Sequence, residues 1–295
     1  MNEKFPITVI LAVKNEALNI ARCLEALVPA EKILVVDSNS TDQTAMIASS
    51  LGATVVQFTY AGGYPKKRQW ALSNLNISTP WILLLDADEV VPETLWAEIR
   101  TAIREPGEVK GFLITKGFHF LGRRFKFGGF SHSAVLLFRK DAARFERLVD
   151  NSHTSLDMEV HERLVVDGPV DALHTALIHE DFKGLTAYID RHNRYSTWEA
   201  ELRFQFLKSG NWGADTIKPR LFGNAQERRR FLKAFAIKMP FEPQLWFLYH
   251  YFFRLGILEG TPGLIASQIR SSYIAQARAK LYELWTAKES HCKKP

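Results

Sequence analysis

Short apolar runs alternate with helical segments over the first third of the chain. The runs at 7–13, 33–36, 54–58 and 81–85 are short and rich in bulky apolar residues, which is typical of buried strands. Between them, apolar residues recur three or four positions apart, which indicates helices with one face turned to a sheet. The alternation predicts an α/β fold, a doubly wound and mostly parallel sheet flanked by helices, because helical crossovers join parallel strands.

The fourth run, Trp81–Leu85, leads directly into Asp86, Ala87, Asp88 and Glu89. If the strand continues, Asp86 and Asp88 share one face, since side chains two apart in a strand point the same way. Two close carboxylates repel each other unless a cation lies beside them, and oxygen ligands suit Mg²⁺ or Mn²⁺. Such an ion completes its shell with phosphate and water, so a substrate with phosphate is expected. The alternative is a solvated loop.

Polar side chains also follow the earlier strands. Asn15 and Glu16 come after the first strand, and Asp37 after the second. Because open α/β sheets bind ligands outside the carboxyl ends of their strands, we expect these groups to meet Asp86 and Asp88 at one rim. The glycine fingerprints of dinucleotide enzymes and P-loop NTPases do not occur here, which disfavours both classes.

The chain length, the cysteine count and the net charge limit the class of protein. With 295 residues, the chain is long enough for one large α/β domain plus an appendage. Cys23 and Cys292 offer neither a disulfide framework nor a metal spacing, which favours a reducing compartment. The start of the chain lacks a signal-peptide layout, so we expect a cytoplasmic location. A net charge of +6 is compatible with nucleic acid, an anionic membrane or an anionic substrate.

Four motifs carry a resemblance to a known family. The segments Ile7–Glu16, Val35–Thr44, Lys67–Leu72 and Leu85–Glu89 resemble the nucleotide-sugar half of family 2 glycosyltransferases, which have the GT-A (Rossmann-like) fold. Segments in the last third, from Lys238 onward, are similar to the lipopolysaccharide-core glucosyltransferase branch of that family. The resemblance implies the fold named above, followed by an α-helical C-terminal subdomain.

The resemblance also implies roles for the rim residues. Asp37 would recognise the base of a nucleoside diphosphate sugar, expected to be uracil, and Asn15 and Glu16 would lie around the nucleoside. Arg68 would lie along the nucleotide. Many family members carry asparagine where this chain has Gln69, a departure that bears on the role of Gln69 more than on that of Arg68.

The same resemblance implies which residues bind a metal ion. Asp88 would bind Mg²⁺ or Mn²⁺, and Asp86 would lie near the ribose or the metal.

The segment 157–164 is similar to the part of the family that carries the catalytic base. Inverting transfer needs a base that takes the proton of the acceptor hydroxyl, and Glu162 is the expected base, with Glu159 in reserve. Family members commonly carry a Glu-Asp pair here, whereas this chain has Glu162 followed by Arg163. His161 is either a metal ligand or a structural histidine, and we favour the second. The segment is not a zinc helix of the H-E-x-x-H type.

Two later stretches combine basic and aromatic residues. The segment 118–130 is either a loop over the active site or a plain surface hairpin. In the last third, 225–238 is a basic amphipathic helix, and the aromatic run 245–258 is too short to span a bilayer, which takes about 20 residues. Together, the helix and the aromatic run favour a position in the headgroup layer of a membrane. The alternative is a helical subdomain packed on the catalytic domain or on a second subunit, so a homodimer stays open.

These features lead to one functional expectation. We expect residues 1–184 to be a GT-A glycosyltransferase domain and 185–295 a helical region that associates with the inner face of the cell membrane. The enzyme would transfer a hexose from a UDP-sugar to a glycan or lipid-linked acceptor, as in lipopolysaccharide core or cell-envelope polysaccharide synthesis, with a divalent metal and with inversion. A non-catalytic nucleotide-sugar-binding protein is the alternative. Nucleic acid is not an expected partner, because acids line the rim.

Overall fold

The computed structural model describes residues 4–148, 157, 159, 162–214, 219–222 and 225–292. The strands are β1 (Phe5–Val13), β2 (Ala30–Asp37), β3 (Thr54–Gln57), β4 (Trp81–Leu85), β5 (Glu89–Val90), β6 (Gly111–Phe120), β7 (Arg123–Arg124), β8 (His132–Arg139), β9 (Ala143–Phe145), β10 (Arg147–Leu148), β11 (Leu164–Val166), β12 (Val170–Ala172), β13 (Leu177–His179) and β14 (Gly213–Ala214). The helices are α1 (Ile20–Glu25), α2 (Thr44–Ser50), α3 (Lys67–Asn74), α4 (Glu93–Arg104), α5 (Gly184–Ser209), α6 (Ala225–Ala236), α7 (Glu242–Leu248) and α8 (Gly260–Cys292).

One ten-stranded sheet carries the fold. Its order is β3-β2-β1-β4-β8-β6-β13-β5, and β12 and β7 both pair with β6. The first four strands are parallel to one another, and β6, β12 and β13 run in the same direction, whereas β5, β7 and β8 run the opposite way. The predicted mostly parallel sheet is therefore confirmed, with antiparallel strands inserted beyond β4.

Apolar side chains from β1 pack on both faces of the sheet. Ile7, Val9 and Leu11 belong to one core cluster, while Ile10 belongs to the cluster on the other face. This follows from the strand period of two, and it explains why a strand covered on both sides is apolar throughout.

One local prediction at the rim is wrong in detail. Asp86 and Asp88 lie in the turn between β4 and β5, not on a continuing strand, because the backbone N–H of Asp86 bonds to the carboxylate of Glu89 at 3.0 Å and closes the turn.

The helical last third is confirmed. Ala200 and Phe204 of α5 pack against Leu281 of α8. Between α5 and α7 lies a buried ion pair, in which Arg203 donates to Glu242 at 2.7 and 3.0 Å.

Helix α6 turns two cations inward and exposes apolar side chains, which is the reverse of an ordinary amphipathic helix. Arg230 is buried against Glu146 at 2.8 Å, and Lys233 pairs with Glu199 at 2.8 Å. Leu232 and Phe235 are instead 57% and 60% exposed. Buried acids on neighbouring elements pull these two cations inward, an effect that sequence periodicity does not record.

The aromatic run 245–258 is not one helix. It begins within α7, continues as a π-helical turn at Tyr249–Phe253 and ends in a 3₁₀ turn at Gly256–Glu259. No helix among the described residues is both long and apolar enough to cross a bilayer.

The stretch 118–130 is a hairpin whose aromatic residues are largely packed. Phe120 and Phe125 are buried with Ala266 of α8, and the ring of Phe120 lies 5.6 Å from that of Tyr188 on α5. The aromatic residues of this stretch thus join the sheet to the C-terminal helices.

Candidate active site

Three strand ends meet at one edge of the sheet. The register pairs Val13 with Asp37 and Leu11 with Leu85, so β1, β2 and β4 finish at nearly the same level. The end of β2 brings Asp37 to this edge, and the loops after β1 and β4 bring Asn15, Glu16, Asp86 and Asp88, so the predicted common rim is confirmed. Their chemical roles stay predictions.

Asn15 and Asp37 belong to one interlocked loop pair. Asn15 accepts the backbone N–H of Thr41 at 2.8 Å and donates its own to Ser40 Oγ at 2.9 Å. Asp37 is 1% exposed and accepts from the backbone N–H of Ser40 at 3.2 Å and from Gln57 Nε2 at 3.1 Å. These contacts fix the loop after β2 against the loop after β1.

Glu16 is tied to the start of the helical region. Its carboxylate accepts from Asn19 Nδ2 at 2.9 Å and forms an ion pair with Lys183. Burial raises the pKa of Glu16, and the bonds from Lys183 and Asn19 oppose that rise. A side chain expected near the nucleoside therefore also joins β1 to the segment that leads into α5.

Three consecutive cations lie at the N-terminal end of α3, and each contacts an acid. Lys66 Nζ lies 2.6 Å from Glu162, and Lys67 Nζ lies 3.3 Å from Asp157. Lys67 is 1% exposed and also donates to the carbonyl of Val13 at 2.8 Å. Burial lowers the pKa of Lys67, against the opposing effect of Asp157. The segment with the candidate bases is thereby fastened to the end of β1.

Arg68, the third of these cations, connects the candidate base segment to the rim. Its guanidinium pairs with Asp86 and donates to the carbonyl of Glu159 at 3.2 Å.

Glu159, the reserve base, caps α3. It is 4% exposed, and its carboxylate accepts the backbone N–H groups of Arg68 at 3.0 Å and Gln69 at 2.9 Å. Such a carboxylate satisfies free donors of the first helical turn and complements the helix dipole. Burial raises its pKa, whereas Arg68 and the two backbone bonds oppose that rise.

Glu162, the expected base, lines a cleft. The cleft also holds Tyr60, Tyr64, Lys66 and Trp198, and the Lys66 ammonium lies 4.4 Å from the centre of the Trp198 ring. Glu162 has a side chain that is 6% exposed. A carboxylate, an ammonium and aromatic rings therefore meet in one cleft.

Asp86 is the most strongly paired acid of the rim. One oxygen contacts Arg68, and the other lies 2.9 Å from Lys116 Nζ. Burial alone would raise the pKa of Asp86, but Arg68 and Lys116 outweigh burial and hold it far below its usual range. Lys116 also pairs with the fully buried Glu89. Arg68 and Lys116 therefore both pair with the carboxylate of Asp86. The sequence had predicted this carboxylate as a metal ligand.

Asp88, Glu89 and His179 form a candidate metal centre. One potential ligand atom from each lies within 4.8 Å of the others, and His179 Nε2 is 3.3 Å from Asp88 Oδ2. Pairing of β13 with β5 places His179 opposite Glu89. Burial alone would lower the pKa of His179, but its bond to Asp88 outweighs that and raises it. The two carboxylates fit Mn²⁺ or Mg²⁺, which prefer oxygen ligands, whereas the imidazole is a ligand more typical of transition-metal ions.

Sequence reasoning missed several groups at this edge. Glu89 was quoted only as part of a motif, and Lys116 carried no role although a lysine within the apolar strand β6 was a detectable signal. His179 had no predicted role in a metal site. His161 lies outside the described residues.

Comparisons with known proteins identify the family. Residues 8–153 match the sequence model of Glycosyl transferase family 2. The lipopolysaccharide core biosynthesis glycosyltransferase LpsC of Rhizobium meliloti (strain 1021) is 27% identical over 290 residues, which cover 96% of this chain and 94% of LpsC. An uncharacterized glycosyltransferase of Rickettsia felis (strain ATCC VR-1525 / URRWXCal2) is 28% identical over 200 residues, 66% of this chain and 69% of that protein.

Among solved structures, the chain is similar to glucosyl-3-phosphoglycerate synthase from Mycobacterium tuberculosis, determined with Mn²⁺, UDP and glucosyl-3-phosphoglycerate. The identity is 23% with a TM-score of 0.31, and the match covers 41% of this chain and 46% of that chain, less than half of either. The family model and the relative matched along nearly its whole length agree with the resemblance drawn from the motifs and with a GT-A fold. The chain is a glycosyltransferase, and residues 8–153 are its family 2 domain.

Proposed function

We propose that this family 2 enzyme is a metal-dependent inverting glycosyltransferase that moves a hexose from a UDP-sugar to a glycan or lipid-linked acceptor. The observation that carries the proposal is the group of Asp88, Glu89 and His179, whose potential ligand atoms lie within 4.8 Å of one another. It lies at the sheet edge where an open α/β sheet binds nucleotides.

Asp88, Glu89 and His179 would hold the divalent ion. When bound, Mg²⁺ or Mn²⁺ supplies Lewis-acid charge that offsets the negative charge on a departing diphosphate. Asp86 pairs with Arg68 and shares Lys116 with Glu89, whereas the carboxylate of Asp88 pairs with the imidazole of His179. This difference supports Asp88 as the principal ligand and Asp86 as the partner of two cations.

Arg68 and Lys116 supply fixed positive charge next to the proposed diphosphate. Burial and ion pairs hold both side chains in place, so little reorganisation is needed when charge develops. The nucleoside would extend toward Asp37, Asn15 and Glu16, whose loops are interlocked.

Glu162 is the proposed general base. It lines the cleft with Tyr60, Tyr64 and Trp198. Glu159 lines the same cleft, but its carboxylate is committed to two backbone N–H groups of α3. An acceptor hydroxyl that binds in this cleft would give its proton to Glu162 as its oxygen attacks the anomeric carbon. Lys66, at 2.6 Å, would keep the carboxylate oriented.

The acceptor and the place of action are proposed from the relative LpsC. The name of LpsC, the relative matched over 94% of its length, favours an acceptor in lipopolysaccharide core or cell-envelope polysaccharide synthesis. We accordingly propose action at the inner face of the cell membrane, by a GT-A domain at 1–184 and a membrane-associating helical region at 185–295.

The test is a panel of nucleotide-sugars scored for release of the nucleoside diphosphate with and without Mn²⁺. We expect one UDP-hexose to give metal-dependent release, increased by the acceptor. Equal release in chelator would overturn the metal assignment, and release from GDP-sugars alone would overturn the choice of UDP.

The second candidate is a nucleotide-sugar-binding protein without turnover. It is favoured by the engagement of both candidate bases, Glu162 by Lys66 and Glu159 by α3. Slow donor hydrolysis that disappears in a Glu162→Gln variant would rule it out.

A further inference from the structure

Exposed apolar side chains concentrate in one short segment of the C-terminal region. Of the 27 large hydrophobic residues that are exposed in the described part of the chain, nine lie between 241 and 258. They are Phe241, Leu245, Leu248, Tyr249, Phe252, Phe253, Leu255, Ile257 and Leu258. Single exposed hydrophobic residues are ordinary, but such a concentration marks an interaction surface.

A groove joins this segment to the hairpin at 121–131. Phe253, Arg254 and Leu255 line one side, and Lys126 and Phe127 line the other. Phe253 is 81% exposed and Phe127 is 40% exposed. The groove therefore presents aromatic and aliphatic groups beside two exposed cations.

The charge of this surface is positive although the segment contains acids. Glu242 and Glu259 are 2% and 1% exposed, and they pair with Arg203 and Arg123. Arg254 and Lys126 remain exposed. An apolar surface with exposed aromatics and only basic exposed charges complements an anionic lipid bilayer, in which aromatics enter the headgroup layer and cations meet lipid phosphates.

The same surface is firmly attached to the hairpin. Glu259 accepts the backbone N–H groups of Lys126 at 2.6 Å and Phe127 at 2.8 Å. Gly128 donates to the carbonyl of Arg254 at 2.7 Å, and at Gly128 an added Cβ would lie 2.6 Å from the Phe130 ring. The hairpin continues into β6, which carries Lys116 of the candidate site.

We propose that the segment 241–258 and the hairpin residues Lys126 and Phe127 form one surface that docks on an anionic lipid bilayer. The anionic bilayer would be the membrane partner of the proposed function. The docking proposal rests on that function only in placing the acceptor at the bilayer. Docking would hold the sheet, through β6, at a fixed orientation to the lipid.

The test uses the full chain and flotation with vesicles, in the absence of any nucleotide-sugar. We expect the chain to float with vesicles that contain phosphatidylglycerol and much less with pure phosphatidylcholine. Phe253→Ser combined with Leu258→Ser should lower the bound fraction by about tenfold or more. Tyr282→Ser is the matched control, because Tyr282 is 71% exposed and lies on α8 roughly 33 Å along the helix from Gly260.

Charge is tested separately. Lys126→Gln with Arg254→Gln should remove the preference for phosphatidylglycerol, whereas Lys208→Gln, at an exposed position of α5, should not. Undiminished flotation of the Phe253 and Leu258 variant, with thermal unfolding unchanged, would overturn the proposal. So would a concentration-dependent dimer that the same variant abolishes, because the surface would then join two copies of the chain. Vesicle binding is measured without catalysis, so its failure is distinct from failure of the transferase assay.

Discussion

The carboxylate of Glu162 lies 2.6 Å from the ammonium of Lys66, and that ammonium lies 4.4 Å from the centre of the Trp198 ring. An acid from the segment after β10, a cation before α3 and an aromatic from α5 thus meet in one cleft. Side chains far apart in sequence define this cleft, and each can be varied separately.

Glu162→Gln should stop transfer while nucleotide binding persists. The amide keeps the shape of the side chain but cannot accept a proton, and general-base catalysis typically contributes about 10²–10⁴-fold. Turnover with donor and acceptor, compared with UDP affinity by calorimetry, checks this. Glu108→Gln, at an exposed loop position, is the matched control. If Glu162→Gln retains full turnover, another group is the base.

Glu159→Gln should act on stability more than on chemistry. The change removes a buried negative charge from the start of α3, where Glu159 accepts two backbone N–H groups, and we expect a loss of about 1–3 kcal/mol in the free energy of unfolding. Urea unfolding measures it, again with Glu108→Gln as control. A variant that unfolds like the parent protein but has lost transfer would instead assign the base to Glu159.

Asp88→Ala should abolish metal-stimulated transfer and leave the fold intact. Removing a ligand of the ion forfeits several kcal/mol of transition-state stabilisation, which corresponds to at least about 100-fold in rate. Calorimetric titration with Mn²⁺ provides a readout independent of activity. Asp190→Ala, at an exposed position of α5, should bind Mn²⁺ like the parent. Undiminished transfer by Asp88→Ala would refute the metal role of Asp88.

Lys116→Met should destabilise the chain. Lys116 is shared between Asp86 and the fully buried Glu89, and breaking a buried ion pair by removing one partner typically costs about 3–5 kcal/mol. Chemical denaturation gives the value, with Lys208→Met at an exposed site as control. Equal stability of the two variants would mean that Lys116 contributes nothing net to folding.

The part of the site that the sequence predicts is the part set by strand ends. Asp37 ends β2 and Asp86 follows β4, and parallel register alone brings them to one edge. Lys116 and His179 could not be placed in the same way. They lie on β6 and β13, whose neighbours in the sheet are fixed by long-range pairing, and no local pattern encodes such pairing.

The turn after β4 and helix α6 show the same limit. The backbone of Asp86 turns because it bonds to Glu89, whereas a period of two predicted a continuing strand. Arg230 and Lys233 are drawn inward by Glu146 and Glu199, whereas a period of 3.6 predicted a basic amphipathic helix. In both cases a specific acid outweighed the average preference of the pattern.

The contacts of the C-terminal region bear on how the chain can be divided. Arg230 reaches Glu146, Trp198 lies over Lys66, and Glu259 holds the tip of the hairpin. A fragment that stops at residue 184 would keep the rim but would leave Glu146 without its guanidinium and the backbone amides of Lys126 and Phe127 without their acceptor. The region from residue 185 onward thus stabilises the structure of residues 1–184, and truncated variants of the enzyme should be tested first for folding.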